Sequence, residues 1–273
     1  MNNLNEIFTY PVNNKSDLAK RAVNNYYCRF ISGKCDKPSR MIDYPLGVCS
    51  VKVNGKTPII CPNRFLEDNI VFINICNEVF GSTDNVLLFK EIGLSGIGTF
   101  DFVLVKHKPI SSQVEDFCVV EFQSDSTTGT GKIVDALKDF MNGDEINNRS
   151  YSFGMNTYNT IKLSYIQMLI KGQVLESWNK KIYWVMQDFV YDNMVTRFEL
   201  HDLEYNKGNS TNYHIYDLEL NNDVYNLKLI EKKSTTTTNL IKAFTNRQTP
   251  NINEFITKLE NKIELRLGLS LGY

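Results

Sequence analysis

The chain is poor in histidine, with three in 273 residues, and its six cysteines include no C-x-x-C pair. It also lacks an excess of charge, since 30 Lys and Arg face 31 Asp and Glu for a formal net charge of −1. No apolar run approaches the roughly 18 residues a membrane-spanning helix needs. Met1 to Tyr10 is polar, carries Glu6 and has no basic start, so no signal peptide is expected and the chain reads as soluble and cytoplasmic. Near-neutrality excludes a global basic field for nucleic acid. It leaves room for a local basic lining that cancels against acidic ligands. The doublets Lys180-Lys181 and Lys232-Lys233 read as solvated faces. His107, His201 and His214 are too dispersed for a histidine-rich metal centre and are expected at the surface. Gly129-Thr130-Gly131-Lys132 is no phosphate loop, because Ser126 stands where the first Gly belongs and Ile133 where the magnesium-binding Ser or Thr belongs. It remains a turn whose amides can meet a phosphate at a helix start.

A 42% apolar content is ordinary, and the length suits one large domain with an appendage. Residues 1–68 are loop-rich and proline-rich, hold four of the cysteines and lack long apolar periodicity. Residues 69–273 are expected to form the core domain. There Phe72, Ile73, Cys76, Val79 and Phe80 recur at helical spacing, as do Ile133, Ala136, Leu137, Phe140 and Met141. Further helices are expected over 160–175 and after Pro250, the last carrying Ile252, Phe255, Ile256, Leu259 and Ile263. Strands are expected near 86–90, 99–106, 117–123 and 181–191, with a hairpin of 212–219 and 224–230 across Asn221-Asn222-Asp223. Ser234 to Thr238 reads as a surface loop. The order gives an α/β class, a mixed sheet flanked by helices.

Carboxylates stand inside two of these apolar strands. Asp101 lies in Thr99-Phe100-Asp101-Phe102-Val103, and Glu121 and Gln123 lie in Cys118-Val119-Val120-Glu121-Phe122-Gln123. Alternation puts Glu121 and Gln123 on one face and Cys118, Val120 and Phe122 on the other. A hairpin through the polar segment His107 to Asp116 would set Asp101 beside Glu121, where two carboxylates can grip one hard cation such as Mg²⁺. Such a pair suits phosphodiester hydrolysis. Solvent-facing edge carboxylates are the bland alternative, but an unpaired carboxylate among Phe, Val and Leu is costly. Glu91 can supply a third carboxylate, and the Phe122 carbonyl a further ligand. The Gln123 amide does not titrate near neutrality; its role would be to orient water.

Cys28, Cys35, Cys49 and Cys61 lack the close pairs of usual zinc sites. Free thiols gathered in a segment without an evident core nevertheless point to a tetrahedral metal that contributes folding energy. Without a secretion signal, disulfides are disfavoured. Cys76 and Cys118 fall on apolar faces as small core residues.

The chain resembles the NotI-type restriction endonucleases. The resemblance rests on Cys28-Arg29-Phe30, Cys35, Pro45-Leu46-Gly47-Val48-Cys49-Ser50-Val51 and Ile60-Cys61-Pro62-Asn63-Arg64, followed by Phe89-Lys90-Glu91, Phe100-Asp101 and Val119-Val120-Glu121-Phe122-Gln123. A weaker block is Tyr165-Ile166-Gln167-Met168. The likeness implies a PD-(D/E)xK restriction-endonuclease-like fold in which glutamine replaces the usual lysine, with an N-terminal four-cysteine metal-binding segment. It implies Glu91, Asp101, Glu121 and Gln123 as the active site. It also implies iron or zinc on Cys28, Cys35, Cys49 and Cys61, and a homodimer acting on palindromic double-stranded DNA. Cysteine spacings here differ from the family's, and target sequence does not transfer, because base contacts come from few side chains. The leading expectation is a Mg²⁺-dependent type II restriction endonuclease. A repair or mobile-element nuclease and a non-cleaving DNA-binding module are the alternatives.

Overall fold

A computed structural model describes residues 1–200, 203–246 and 249–270. The N-terminal region is more ordered than its sequence suggests. Strands β1 (Asn3–Ile7), β2 (Tyr10–Pro11) and, after helix α1 (Asp17–Asn24) and the short pair β3 (Tyr27–Cys28) and β4 (Gly33–Lys34), β5 (Val48–Lys52) build a three-stranded antiparallel sheet in the order β2-β1-β5. Ser16 caps α1 by accepting the Ala19 N–H. This sheet does have an apolar cluster, but borrows part of it: Leu4, Ile7, Val48 and Val51 pack with Ile133, Val134 and Leu137 from much later in the chain. Local periodicity could not reveal such a shared core.

Helix α2 (Ile70–Phe80) stops at Gly81, whose φ of 79° suits a helix end that returns to a strand. There follow β6 (Val86–Leu94), β7 (Gly98–His107), β8 (Val114–Gln123), the short β9 (Thr127–Thr128), α3 (Thr130–Met141), the short β10 (Gly154–Met155), α4 (Thr157–Ser177), β11 (Lys181–Gln187), α5 (Asp188–Phe198), β12 (Thr211–Asn221), β13 (Val224–Thr235), α6 (Thr237–Thr245) and α7 (Ile252–Ser270). The main sheet is six-stranded, in the order β13-β12-β11-β8-β7-β6. Its centre, β8-β11-β12, is parallel, and both flanks are antiparallel hairpins. β11 is paired on both sides and buried from Ile182 to Gln187, as an apolar run between parallel neighbours should be. One face packs α2 on Phe102, Cys118, Val120, Tyr183 and Val185. The other packs α4, α5 and α6 on Val103, Val119, Ile182, Trp184 and Ile215. The protein is therefore a mixed α/β structure whose mixed sheet is flanked by helices.

The expected strand over 181–191 ends early. Asp188 opens α5, its Oδ1 accepting the Phe189 N–H at 2.5 Å, and Phe189, Val190, Met194 and Phe198 are buried at helical spacing. An apolar strand running straight into an amphipathic helix hides the boundary between two periods. Ser234 to Thr238 is not a surface loop either. Ser234 and Thr235 end β13 and Thr237 opens α6, all three 2% exposed. Their hydroxyls are tolerated inside because they bond: Ser234 Oγ accepts from Asn206 N at 2.7 Å and from Asn209 Nδ2 at 3.0 Å. Thr236 caps α6 through the Asn239 N–H. His214 is wholly buried rather than at the surface, its Nε2 3.1 Å from Glu78 Oε2. His201 lies outside the described residues. Cys76 and Cys118 are core residues as expected. Among the described residues no helix is long and apolar enough to cross a membrane.

Candidate active site

The site is built by register. In the β6-β7 hairpin, Lys90 pairs with Phe102 and Ile92 with Phe100, so Glu91 falls opposite Asp101 between those pairs. In the β7-β8 hairpin the last pair is Phe102 with Val120, so one step further Asp101 falls opposite Glu121. Three carboxylates thus line up across three adjacent strands. The connection expected between His107 and Asp116 is real, with the turn at 108–113. Glu91 has φ +53°, which twists its strand locally and breaks the ladder at that residue.

Asp101 is half-buried, and its Oδ2 accepts the Phe122 N–H at 3.0 Å, tying the carboxylate of β7 to the backbone of β8. Together with Glu91, Lys90, Phe102 and Phe122 it lines a cleft of about 390 Å³. The opposite wall of the cleft comes from the cysteine segment, through Asp36, Pro62 and Asn63. Asn63 Nδ2 donates to Asp36 Oδ1 at 2.8 Å, bracing that wall.

Glu121 is 4% exposed and shares its sheet face with Val119, beneath α4. Its Oε2 accepts from Lys171 Nζ at 2.7 Å, whereas Oε1 is buried with no hydrogen-bond partner. Burial and the neighbouring Asp101 charge push its carboxyl up to about 7, against the pull of the Lys171 ammonium. Gln123 sits on the same face; its Nε2 donates to Ser124 O at 2.9 Å and its Oε1 accepts the Ser164 hydroxyl. It opens on a second, polar depression with Asp125, Asn156, Asn159, Thr160 and Gln167. Ser124, at the end of β8, borders both cavities.

Cys28, Cys49 and Cys61 are buried, Cys35 is half-buried, and all are free thiols. Burial pushes Cys28 up to about 11 and raises Cys49 and Cys61 as well, and the charges of the others add to each shift. The sequence-distant thiols are thus electrostatic neighbours. Among the described residues, no set of three or more His, Cys, Asp or Glu is arranged to hold a metal ion. For the carboxylate site the donor chemistry fits a hard cation: Asp101 and Glu121 are neighbours across two strands whose charges interact, and one Glu121 oxygen is buried with no partner.

Lys171 escapes local reading because its partner lies 50 residues away. The signal was present, since Ile161, Tyr165, Met168, Lys171 and Leu175 share the buried side of α4. A lysine on an apolar stripe requires an explanation.

Asp101 and Glu91 open on the cleft, while Glu121, their neighbour in register, lies buried beneath α4 and lines neither cavity; together they make an acidic site at the edge of a mixed α/β sheet. The model of the restriction endonuclease NotI family matches residues 13–225, and the chain belongs to that family. It is a restriction endonuclease, a site-specific nuclease of double-stranded DNA. No curated protein matches the chain.

Proposed function

We propose that the protein is a type II restriction endonuclease that uses Mg²⁺ to hydrolyse phosphodiester bonds in duplex DNA, through a PD-(D/E)xK-type core. The observation that supports this is the alignment of Glu91, Asp101 and Glu121 across three strands, with Glu121 Oε1 buried and unpartnered. Asp101 and Glu121 would hold the cation, with the Phe122 carbonyl as a further ligand and Glu91 as the outer carboxylate. Mg²⁺, when bound, supplies Lewis-acid stabilisation of the phosphate and a more acidic water. Gln123, held at both ends of its amide by Ser124 and Ser164, would help orient that water and does not titrate. The cleft between β7-β8 and the cysteine segment is the place for the DNA backbone.

The four thiols would hold one structural iron or zinc ion, which supplies tetrahedral cross-linking of the N-terminal segment. Burial disfavours their thiolates unless a cation accompanies them. A homodimer on a palindromic site accords with α7. Its described side chains from Ile252 to Arg266 are all exposed, and Ile252, Phe255, Ile256, Leu259 and Ile263 make an uncovered apolar stripe. A second copy is a natural cover for such a face.

Plasmid incubation with Mg²⁺ tests the reading. Wild-type protein should give discrete fragments, and Asp101→Ala or Glu121→Ala should abolish cutting without loss of the folded circular-dichroism spectrum. Smearing would favour a repair or mobile-element nuclease, and a gel shift without cutting a DNA-binding module. Full activity of either variant at saturating Mg²⁺ removes that residue from the site.

A further inference from the structure

The strand that carries Glu121 brings no cation with it, because the position two residues on is the neutral Gln123. A cation arrives from a different element. Lys171 is buried on α4, with Nζ 2.7 Å from Glu121 Oε2, 2.8 Å from Thr99 O and 5.5 Å from the centroid of the Phe100 ring. The next residue, Gly172, allows this reach. A Cβ there would stand 2.6 Å from Thr237 Oγ1, so a larger residue would move the helix or its neighbour.

Comparison with the other buried ion pairs shows what is unusual. Glu6 uses both oxygens, on Arg64 and Ser50. Glu67 uses both, on Arg29 and on Arg64 with the Leu227 N–H. Glu78 uses both, on Tyr183 and on His214 with Lys232. Those three are closed. Among the described residues, Glu121 Oε1 is the one buried carboxylate oxygen left without a partner. A pair present only for folding would close in the same way, since an unsatisfied buried acceptor is costly.

We infer that Lys171 is the positioning residue of the cleavage site: it occupies Oε2 of Glu121 so that the carboxylate meets the divalent cation through Oε1 alone, and it supplies from α4 the positive charge that β8 lacks. This rests on the nuclease reading above. With Lys171 in place Glu121 would offer a cation one oxygen; without it, it would offer both.

Terbium luminescence decay, compared in H₂O and D₂O on DNA-free protein, counts the waters left on a bound Tb³⁺ and needs no turnover. Lys171→Met should show one water fewer than wild type, and Lys171→Arg, which still donates to Oε2, the wild-type count. With plasmid and Mg²⁺, Lys171→Met should lose about 10²-fold in kcat, the order expected of a misplaced reacting group, with KM for DNA within about threefold of wild type. Equal water counts in wild type and Lys171→Met, or a wild-type kcat in that variant, overturns the inference. So does a loss of kcat that only tracks a fall in folded fraction. Should Lys171→Met fail to fold, Lys171→Gln, which keeps a donor to Oε2 but no charge, should keep the wild-type water count and lose kcat; a wild-type kcat or one water fewer in that variant overturns the inference. Wild-type protein that binds Tb³⁺ but cuts no DNA overturns the nuclease reading alone, and the water count still decides for Lys171. Wild-type protein that binds no Tb³⁺ overturns both.

Discussion

Arg64→Met should destabilise the protein by an amount that grows with pH, and the structure fixes the sign. The Arg64 side chain is wholly buried. Its Nε bonds Glu6 Oε1 at 3.2 Å, one terminal nitrogen bonds Glu67 Oε2 at 2.9 Å, and the other bonds Tyr225 O at 2.8 Å. The guanidinium lies 4.6 Å over the Phe30 ring. Methionine fills much of that space but removes every donor. Glu67 keeps Arg29 and the Leu227 N–H, whereas Glu6 is left with Ser50 alone. Burial already raises the Glu6 carboxyl above its ordinary 4.5, and Arg64 is the largest influence holding it down. A raised carboxyl holds its proton in the folded state, so its contribution to stability is greatest below 4.5 and is lost as pH climbs toward the folded value. Freed of Arg64, Glu6 must either stay a buried anion or take up a proton. The proton costs about 1.4 kcal/mol per pH unit above 4.5, hence less than about 1 kcal/mol near pH 5 and up to about 5 kcal/mol near pH 8. The upper figure falls within the roughly 3–5 kcal/mol typical of a broken buried pair. Urea unfolding at both pH values reads the difference. A deficit below about 1 kcal/mol near pH 8, or the same deficit at both, refutes this reasoning. The Glu6→Gln, Arg64→Met double variant should lose the pH dependence.

His214 gives a dependence of the opposite sense: burial pushes its imidazole below 6.5, so its contribution is fully present above that value and is lost on acidification, by at most about 1.4 kcal/mol per pH unit. His214→Gln should flatten the slope of melting temperature against pH between about 7 and 5, and unchanged slopes would count against an uncharged buried histidine. Purified protein should contain about one iron or zinc ion per chain by elemental analysis. Cys49→Ser should lose it and unfold the N-terminal sheet, whereas fully folded, metal-free wild-type protein rejects a structural metal.

The elements whose periodicity is undiluted were readable from sequence. α2, α3 and α4, the β6-β7-β8 meander and the β12-β13 hairpin stand where the spacing places them, and Asn222 and Asp223, at φ +49° and +59°, make the two-residue turn that their types favour. That Asp101 and Glu121 neighbour each other across β7 and β8 was readable for the same reason, since a hairpin of known strands leaves little freedom of register, whereas the burial of Glu121 beneath α4 was not. What stayed hidden depends on distant partners. His214 is buried because Glu78, 136 residues away, meets it, and the N-terminal sheet is stable against α3 rather than by itself. α5 was lost because only the two polar residues Gln187 and Asp188 separate the apolar run of β11 from the apolar residues of the helix.

Arg64 links the cysteine segment to the cleft. It follows Cys61-Pro62-Asn63 directly, and Pro62 and Asn63 face Asp101 and Glu91 across the cavity. Its bonds to Glu6, Glu67 and Tyr225 fasten that short turn at once to β1, to the segment before α2 and to β13. Phe122 backs the same region, stacked on Phe72 and tilted against Phe102 while its N–H holds Asp101. A disturbance of the thiols therefore reaches the carboxylates through two packed residues and one buried guanidinium, with no flexible linker between them. Loss of the cysteine cluster would for that reason act on the cleft wall as well as on the N-terminal sheet, and the fully satisfied Arg64 network is the part of the molecule that keeps the two in register.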